Sequence, residues 1–265
     1  MKHMHEAIVE GIGFWGNGLP DWDAACTWMR EGRHPTQAPA RPSPTLLAAN
    51  ERRRAPATVV VALEAALAAC EAAGREATTL PSIFASTYGE IAITDYMCAT
   101  LASDPRAISP TRFHNSVHNA AAGYWTIGTG AHVPATAISA GRASFAQGLV
   151  EAMAQLAAGS EAVLLVAYDG PACGPLGEVA PSEGLLGVAL VLSRTPCAGL
   201  PTLRMALEPC AGTDAADDAG PLSQRLAGNA MQPALPLLEA LALERTQVLL
   251  PAGPDQTLRI DIGHG

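Results

Sequence analysis

Residues 162–168 are apolar or aromatic at every position, and this run constrains the fold of the 265-residue chain more than any other segment. It predicts a central β-strand that is buried on both faces. Strand-like and helix-like segments alternate around it, which predicts an α/β fold with a mixed or parallel sheet flanked by helices. The predicted strands cover residues 6–14, 80–86, 133–139, 162–168, 185–192 and 203–207, and the predicted helices cover 21–30, 56–73, 91–101, 119–128 and 141–158.

The chain beyond residue 209 changes in composition. Residues 210–222 are small and acidic, which predicts a mobile loop. A helix over 234–243 and two strands over 248–251 and 258–262 follow this loop. We expect residues 1–209 to form the main domain, and residues 223–265 to pack on the same domain as a short C-terminal helix and strands.

Composition and charge exclude several classes of function. Hydrophobic residues make up 49% of the chain, so it can bury a substantial core. The net charge is −9 and Lys2 is the only lysine, which argues against a nucleic-acid groove. The one basic run, Arg52 to Arg54, is interpreted as a solvated helix start. No apolar run approaches the roughly 18 residues that a membrane span requires.

The spacing of the cysteines indicates the redox environment of the protein. The six cysteines form no CxxC pair and show no even framework spacing. No charged-then-apolar leader opens the sequence. We therefore expect a reducing, cytoplasmic environment.

The segment from Pro134 to Ser144 predicts a strand that turns sharply into a helix at small residues. Such a turn aims a nucleophile at the helix N-terminus, where free N–H groups and the helix dipole favour a thiolate or an oxyanion. Ile138 stands at the turn. Isoleucine has no lone pair to donate, so the predicted turn has the architecture of a nucleophile site without the nucleophile.

Several motifs occur in an order that resembles the N-terminal half of β-ketoacyl synthases. They are VEGIGFWGNG at 9–18, SPTRFHNSVHNAAAG at 109–123, TAISAG at 136–141 and Tyr168-Asp169 after the apolar strand. The chain is most similar to the short β-ketoacyl synthase-like N-terminal domain proteins, also called chain-length-factor-like proteins. Many of these are encoded with pigment or polyketide genes such as those for aryl polyenes. The resemblance covers residues 6–195.

The resemblance implies a thiolase-like fold with a largely complete N-terminal half and an abbreviated C-terminal half. In condensing members, a Thr-Ala-Cys triplet holds the acyl chain as a thioester, with a glycine three residues later. The matching positions here are Thr136 to Ile138 and Gly141. The family also uses two C-terminal histidines, whereas this sequence has only His264 after residue 132, and no lysine beyond Lys2. The resemblance therefore implies a chain that does not condense acyl groups by itself.

Ser139 leaves an alternative open. As a nucleophile it would make the protein a serine-dependent acyl hydrolase or acyltransferase, with His114 or His118 as the base. The surrounding residues do not form Gly-x-Ser-x-Gly, because Ala137 stands two positions before the serine. Serine is also a favoured residue at helix starts. We interpret Ser139 as a helix cap in preference to a nucleophile.

Two patterns that are typical of metal or cofactor sites are incomplete. His114 and His118 have the i, i+4 spacing of paired ligands, but the glutamate of the HExxH signature is missing and no third ligand is apparent. The letters GIGFWG at 11–16 match a dinucleotide fingerprint, yet Pro20 delays the helix that this fingerprint needs. We expect no metal and no cofactor. In the resembling family, the segment with Phe113, His114, Asn115 and His118 lies close to the partner's acyl pocket.

The resemblance also implies a partner. In the thiolase fold, the strand that leads into the nucleophile turn pairs with a second subunit, and a strand over 133–139 would be an aggregation hazard if it stayed unpaired. We expect a dimer with itself or with a ketosynthase, in which Ile138 fills an unused pocket and limits chain length. Docking of an acyl carrier protein is a further alternative, for which the available cations are Arg52, Arg53, Arg54 and Arg112.

Overall fold

An eight-stranded mixed sheet with helices on both faces organises the residues that the computed structural model describes, 5–209 and 219–265. The predicted α/β class is confirmed. The strands are β1 (His5–Gly16), β2 (Ser82–Ala85), β3 (Ala135–Ile138), β4 (Ala162–Asp169), β5 (Leu186–Ser193), β6 (Thr202–Pro209), β7 (Gln247–Gly253) and β8 (Gln256–Gly263). The α-helices are α1 (Trp22–Glu31), α2 (Ala49–Arg54), α3 (Ala57–Ala73), α4 (Ile91–Ser103), α5 (Pro110–His114), α6 (Ala120–Thr129), α7 (Ser144–Ala157), α8 (Gly174–Val179), α9 (Pro221–Arg225) and α10 (Leu235–Ala242).

The strand order across the sheet is β3-β2-β4-β5-β1-β6-β8-β7. Strand β2 pairs in parallel with β3 and with β4, and the other pairs are antiparallel. Every residue of β4 is buried, which confirms the central strand predicted from its apolar sequence. Strand β3 forms one edge of the sheet and β7 forms the other.

Two apolar layers cover the sheet. The even-numbered side chains of β4, such as Leu164 and Val166, pack with α3, while Val163, Leu165 and Ala167 face α7 and α10. None of the helices in the described part of the chain is long and apolar enough to cross a membrane. The apolar character of α3 is therefore explained by burial inside the protein.

The glycines of the GIGFWG letters bring β1 close to α3. A Cβ atom on Gly11 would lie 2.2 Å from the carbonyl oxygen of Ala69, and one on Gly13 would lie 1.9 Å from that of Ala65. Only hydrogen atoms fit at such distances. These glycines therefore serve helix–strand packing.

The basic triplet does not start a helix, contrary to our interpretation. Arg52 to Arg54 form the last turn of α2, and Ala55 then adopts an extended conformation with φ −64° and ψ 140°. Pro56 explains this break, because the residue before a proline is disfavoured in the helical region. The three cations sit at a helix C-terminus, where the dipole favours positive charge.

The C-terminal residues continue the same sheet. Strand β6 pairs with β1 and with β8, and the β7–β8 hairpin completes this side. Most of the loop predicted at 210–222 lies outside the described residues, but Pro221 and Leu222 begin α9, so the predicted boundary is wrong there. Proline is well suited to the first turn of a helix because its missing N–H has no intrahelical partner.

Candidate functional site

The turn after β3 places Ile138 at the carboxyl end of the sheet's outermost parallel strand. Ile138 lies opposite Ala85 of β2, and its carbonyl oxygen accepts a hydrogen bond of 3.0 Å from the Ser86 N–H. Thr136 and Ile138 are half-buried, whereas Ala135 and Ala137 are exposed. The Ile138 side chain packs against the core layer that contains α7. An apolar side chain thus stands at the end of β3, at the position where the sequence pattern predicted the site of a nucleophile.

The helix after the turn begins at Ser144, so the interpretation of Ser139 as its cap is wrong. Gly141 adopts a left-handed conformation with φ +57° and opens a single 3-10 turn, Gly141–Ala143. The Ser144 hydroxyl accepts a hydrogen bond from the Ala140 N–H and donates one to the Gly141 carbonyl oxygen. Glycine tolerates this backbone conformation without steric cost, which explains why the chain can turn before the helix starts.

The Ser139 hydroxyl is hydrogen-bonded to backbone and not to a base. It donates to the carbonyl oxygen of Thr87 at 3.0 Å. His118 approaches the neighbouring residue: its Nε2 lies 3.0 Å from the carbonyl oxygen of Ser86 and must donate, because a carbonyl oxygen only accepts. The two side chains therefore contact the same short segment, and neither activates the other. This geometry does not favour a serine hydrolase.

Asp169 holds residues 86–88 in place through hydrogen bonds. Its buried carboxylate accepts hydrogen bonds from the Ser86 hydroxyl at 2.7 Å, from the Thr87 N–H at 2.9 Å and from the Tyr88 N–H at 3.2 Å. Burial raises the pKa of Asp169, and these hydrogen bonds partly offset the rise. Through residues 86–88, the carboxylate supports the groups that contact Ser139 and His118.

Hydrogen bonds of Asn229 join the C-terminal segment to the end of β4 and to residues 183–184. Its side-chain amide nitrogen donates to the carbonyl oxygens of Glu183 at 2.9 Å and Gly184 at 3.2 Å, with a longer contact of 3.4 Å to that of Asp169. Its Oδ1 accepts from the Met231 N–H at 2.9 Å. The short C-terminal segment therefore covers the ends of the central strands.

Sequence reasoning did not single out Asp169 or Asn229 as site residues. The available signal for Asp169 was a carboxylate directly after seven apolar residues, since a buried charge at a strand end needs several donors. Asn229 has no comparable local signal, because the carbonyl oxygens to which its side chain donates lie 45 or more residues away along the chain.

The remaining predicted residues, Phe113, His114 and Asn115, lie in α5 or directly after it. Phe113 is 61% exposed, and His114 lines a groove of about 430 Å³ between α2, α5 and α6. Asn115 is buried, and its side-chain oxygen has no hydrogen-bond partner among the described residues. In the described ranges, no cluster of three or more His, Cys, Asp or Glu side chains could hold a metal ion.

The chain matches a known protein family. The family model described as the β-ketoacyl synthase N-terminal domain matches residues 25–254. The chain belongs to this family. The match extends well past residue 195, where the sequence resemblance was expected to end, and takes in the C-terminal segment that continues the sheet. No curated protein sequence matches the chain.

Solved ketosynthase complexes share the fold. A chain of the ketosynthase ApeO in complex with its chain length factor ApeC, from Xenorhabdus doucetiae, is 22% identical with a TM-score of 0.73, over 96% of this chain and 98% of that one. A chain of the ishigamide ketosynthase/chain length factor is 15% identical with a TM-score of 0.68, over 97% and 99%. A chain of AntDE:AntF, a type II polyketide acyl-carrier protein in complex with its ketosynthase, is 13% identical with a TM-score of 0.73, over 99% and 100%. The predicted thiolase-like fold is confirmed.

Proposed function

We propose that this chain is a non-condensing partner subunit of a type II fatty acid or polyketide synthase, and that it acts as a chain-length factor does. The observation that carries the proposal is Ile138 at the end of the edge strand β3. The turn has the glycine, Gly141, that the family places three residues after its nucleophile, but the end of the strand holds a half-buried aliphatic side chain that packs against the core. No thioester forms on such a side chain.

The free edge of β3 supports pairing. In the described chain, β3 is hydrogen-bonded to β2 on one side and has no strand on the other. Its backbone N–H and C=O groups on the open side are available to a strand of a second subunit. Pairing there brings Ile138 to the subunit boundary, where it limits the space for a growing acyl chain in the partner. The similar solved chains come from ketosynthase complexes with a chain length factor or a carrier protein.

Co-expression with the ketosynthase encoded beside the gene tests the proposal. We expect a stable complex of the two subunits. After treatment with an activated acyl thioester, we expect no acyl label on the wild-type residues 136–144, with the labelled position read by peptide mass spectrometry because Cys98, Cys173 and Cys197 are exposed thiols.

Ile138→Cys should gain the label, because it places a nucleophilic thiol at the end of β3. It should not gain decarboxylative condensation, because His264 is the only histidine after residue 132. Ala137→Cys is the matched control, since Ala137 is exposed on the other side of the strand.

Two results would overturn the proposal. The first is condensation by the wild-type chain alone. The second is a stable monomer that does not associate with the ketosynthase. Fluorophosphonate labelling of the wild type that is lost in Ser139→Ala would support an acyl hydrolase instead.

A further inference from the structure

The end of β3 has little apolar burial of its own to hold it in place. The strand has four residues, and in the described part of the chain its only paired strand is β2. None of its side chains is fully buried: Ala135 and Ala137 are exposed, and Thr136 and Ile138 are half-buried. A short edge strand of this kind gains little from apolar burial. The position of Ile138 therefore depends largely on the hydrogen bonds that its backbone and its neighbours make.

Residues 86 and 87, directly after β2, take part in those hydrogen bonds. The Ser86 N–H donates to the Ile138 carbonyl oxygen at 3.0 Å, and the Ser139 hydroxyl donates to the Thr87 carbonyl oxygen at 3.0 Å. The Thr87 hydroxyl lies 3.5 Å from the Gly141 carbonyl oxygen, which is a longer contact with the same turn. Residues 138–141 thus contact residues 86–87 at three points.

Residues 86–88 are in turn held by Asp169. This residue ends β4, in which every residue is buried. Its carboxylate accepts hydrogen bonds from the Ser86 hydroxyl, the Thr87 N–H and the Tyr88 N–H at 2.7, 2.9 and 3.2 Å. The Ser86 hydroxyl also accepts one from the Gly89 N–H at 2.9 Å. Hydrogen bonds to a carboxylate are stronger than those between neutral groups, so the central strand anchors the end of the edge strand.

A limit on chain length needs such an anchor. Each CH2 group that a growing acyl chain buries favours growth into the space that Ile138 occupies. Isoleucine is β-branched and has few accessible rotamers, so its side chain yields mainly when its backbone moves. The hydrogen bonds with residues 86–87 oppose this movement.

We propose that Asp169 and Ser139 are positioning residues: they hold the backbone of Ile138 in place and thereby set the length at which the acyl chain stops growing. This inference rests on the proposed function, in which Ile138 limits the space for that chain. Asp169 is buried and acts through residues 86–88. Ser139 acts through its own hydrogen bond to the Thr87 carbonyl oxygen.

The length of the product tests the inference. The chain is purified as its complex with the co-expressed ketosynthase and is supplied with an acyl primer and malonyl-loaded acyl carrier protein. Intact-protein mass spectrometry then reads the lengths of the carrier-bound products. In Asp169→Asn, an NH2 group replaces one acceptor oxygen and meets a hydrogen-bond donor, so residues 86–88 should shift. The share of products longer than the main wild-type product should rise roughly fourfold or more, the factor that corresponds to burial of one CH2 group.

Ser139→Ala should shift the lengths in the same direction, because the bond to the Thr87 carbonyl oxygen is lost. In an Ile138→Ala background it should add little, because both changes act through the same side chain. Ser103→Ala is the matched control, since the Ser103 hydroxyl bonds only to carbonyl oxygens of its own helix, α4. If Asp169→Asn yields no folded complex, this pair of variants decides the outcome, because both serines are exposed.

Glu239→Gln is the matched control for Asp169→Asn. Both carboxylates are 1% exposed, but Glu239 accepts a hydrogen bond of 2.7 Å from the Ser223 N–H of α9 and not from residues 86–88. A general loss of stability lowers the yield of the complex in either variant. Only Asp169→Asn should change the lengths of the products.

Ile138→Ala separates this inference from the proposed function. Longer products from Ile138→Ala, with unchanged lengths from Asp169→Asn and Ser139→Ala, overturn the inference and leave the proposed function standing. An equal shift in Glu239→Gln and Asp169→Asn also overturns it, because the cause would then be a general loosening of the core. Wild-type lengths from Ile138→Ala overturn the proposed function itself, because that side chain then sets no limit.

Discussion

Single residues set local stability in the middle of β1, at Glu10. Arg75, just after α3, reaches both carboxylate oxygens of Glu10 at 2.8 Å and also contacts Glu161 at 2.8 Å. The hydrogen bonds from Arg75 lower the pKa of Glu10, although burial opposes the shift. A carboxylate with a lowered folded-state pKa stabilises the protein above its unfolded pKa, and this contribution is lost as the pH falls through the folded value.

Glu10→Gln should therefore lower the free energy of unfolding by about 1–2 kcal/mol at pH 7, because a two-point charged hydrogen bond is lost. The difference from wild type should shrink as the pH falls below the ordinary glutamate value of 4.5. Urea unfolding between pH 3 and pH 7 measures it. Glu6→Gln on the same strand is the control, and its effect should be smaller because Glu6 and its partner Arg204 are about half exposed. An equal loss at every pH would contradict the prediction.

At the scale of elements, β1 and α3 lie close together because glycines on the strand face alanines on the helix. Gly13 faces Ala65, and Gly11 faces Ala69. This close packing lets α3 cover β1, β4 and β5 with one apolar surface. This contact explains the GIGFWG motif, whose glycines match those of a dinucleotide-binding fingerprint.

Gly13→Ala should destabilise the fold by about 3 kcal/mol or more, because its Cβ would lie 1.9 Å from a backbone oxygen that has no room to move. Gly123→Ala in α6 is the matched control. A Cβ there meets no atom within 4 Å, so the helix should gain about 0.5–1 kcal/mol. Chemical denaturation measures the free energy of unfolding of both variants. Similar values for the two would contradict the prediction, because they would mean that β1 and α3 can move apart to accommodate the added methyl group.

At the scale of the whole molecule, contacts between the C-terminal segment and the preceding part of the chain stabilise the fold. The C-terminal segment adds β8, β7 and α10 to the core layer that contains α7, and Gln147 of α7 donates a hydrogen bond of 2.6 Å to the Ala252 carbonyl oxygen. Asn229 joins this segment to the end of β4 and to the 183–184 loop. Residues 219–265 share one sheet and one core layer with the N-terminal strands, and we therefore expect them to unfold together.

Asn229→Ala should lower the free energy of unfolding by about 2–3 kcal/mol, because several buried carbonyl oxygens and one N–H lose their partner. Asn119→Ala is the control: Asn119 is exposed and makes no cap hydrogen bond with its side chain. We expect a single unfolding transition for wild type and variant alike. A transition of the C-terminal segment that is separate from that of β4 would contradict the whole-molecule coupling.

The sequence by itself determined the α/β class, the central strand β4 and the succession of most helices and strands. These features follow from local hydrophobic patterns, which depend on residues a few positions apart. It also located the turn at Ile138, since small residues and a following helix are local signals. The ends of helices were less reliable: Pro56 moved the basic triplet to the end of α2, and Gly141 delayed α7 until Ser144.

Only the tertiary structure decided what surrounds that turn. The partners of Ser139, His118 and Asp169 are backbone and hydroxyl groups that lie 32 to 83 residues away along the chain, so no local pattern reports them. The open edge of β3 likewise follows from the order of the strands in the sheet, which no local sequence pattern indicates. Burial and hydrogen-bond pairing are properties of groups brought together by folding, and they appear only when the chain is assembled in space.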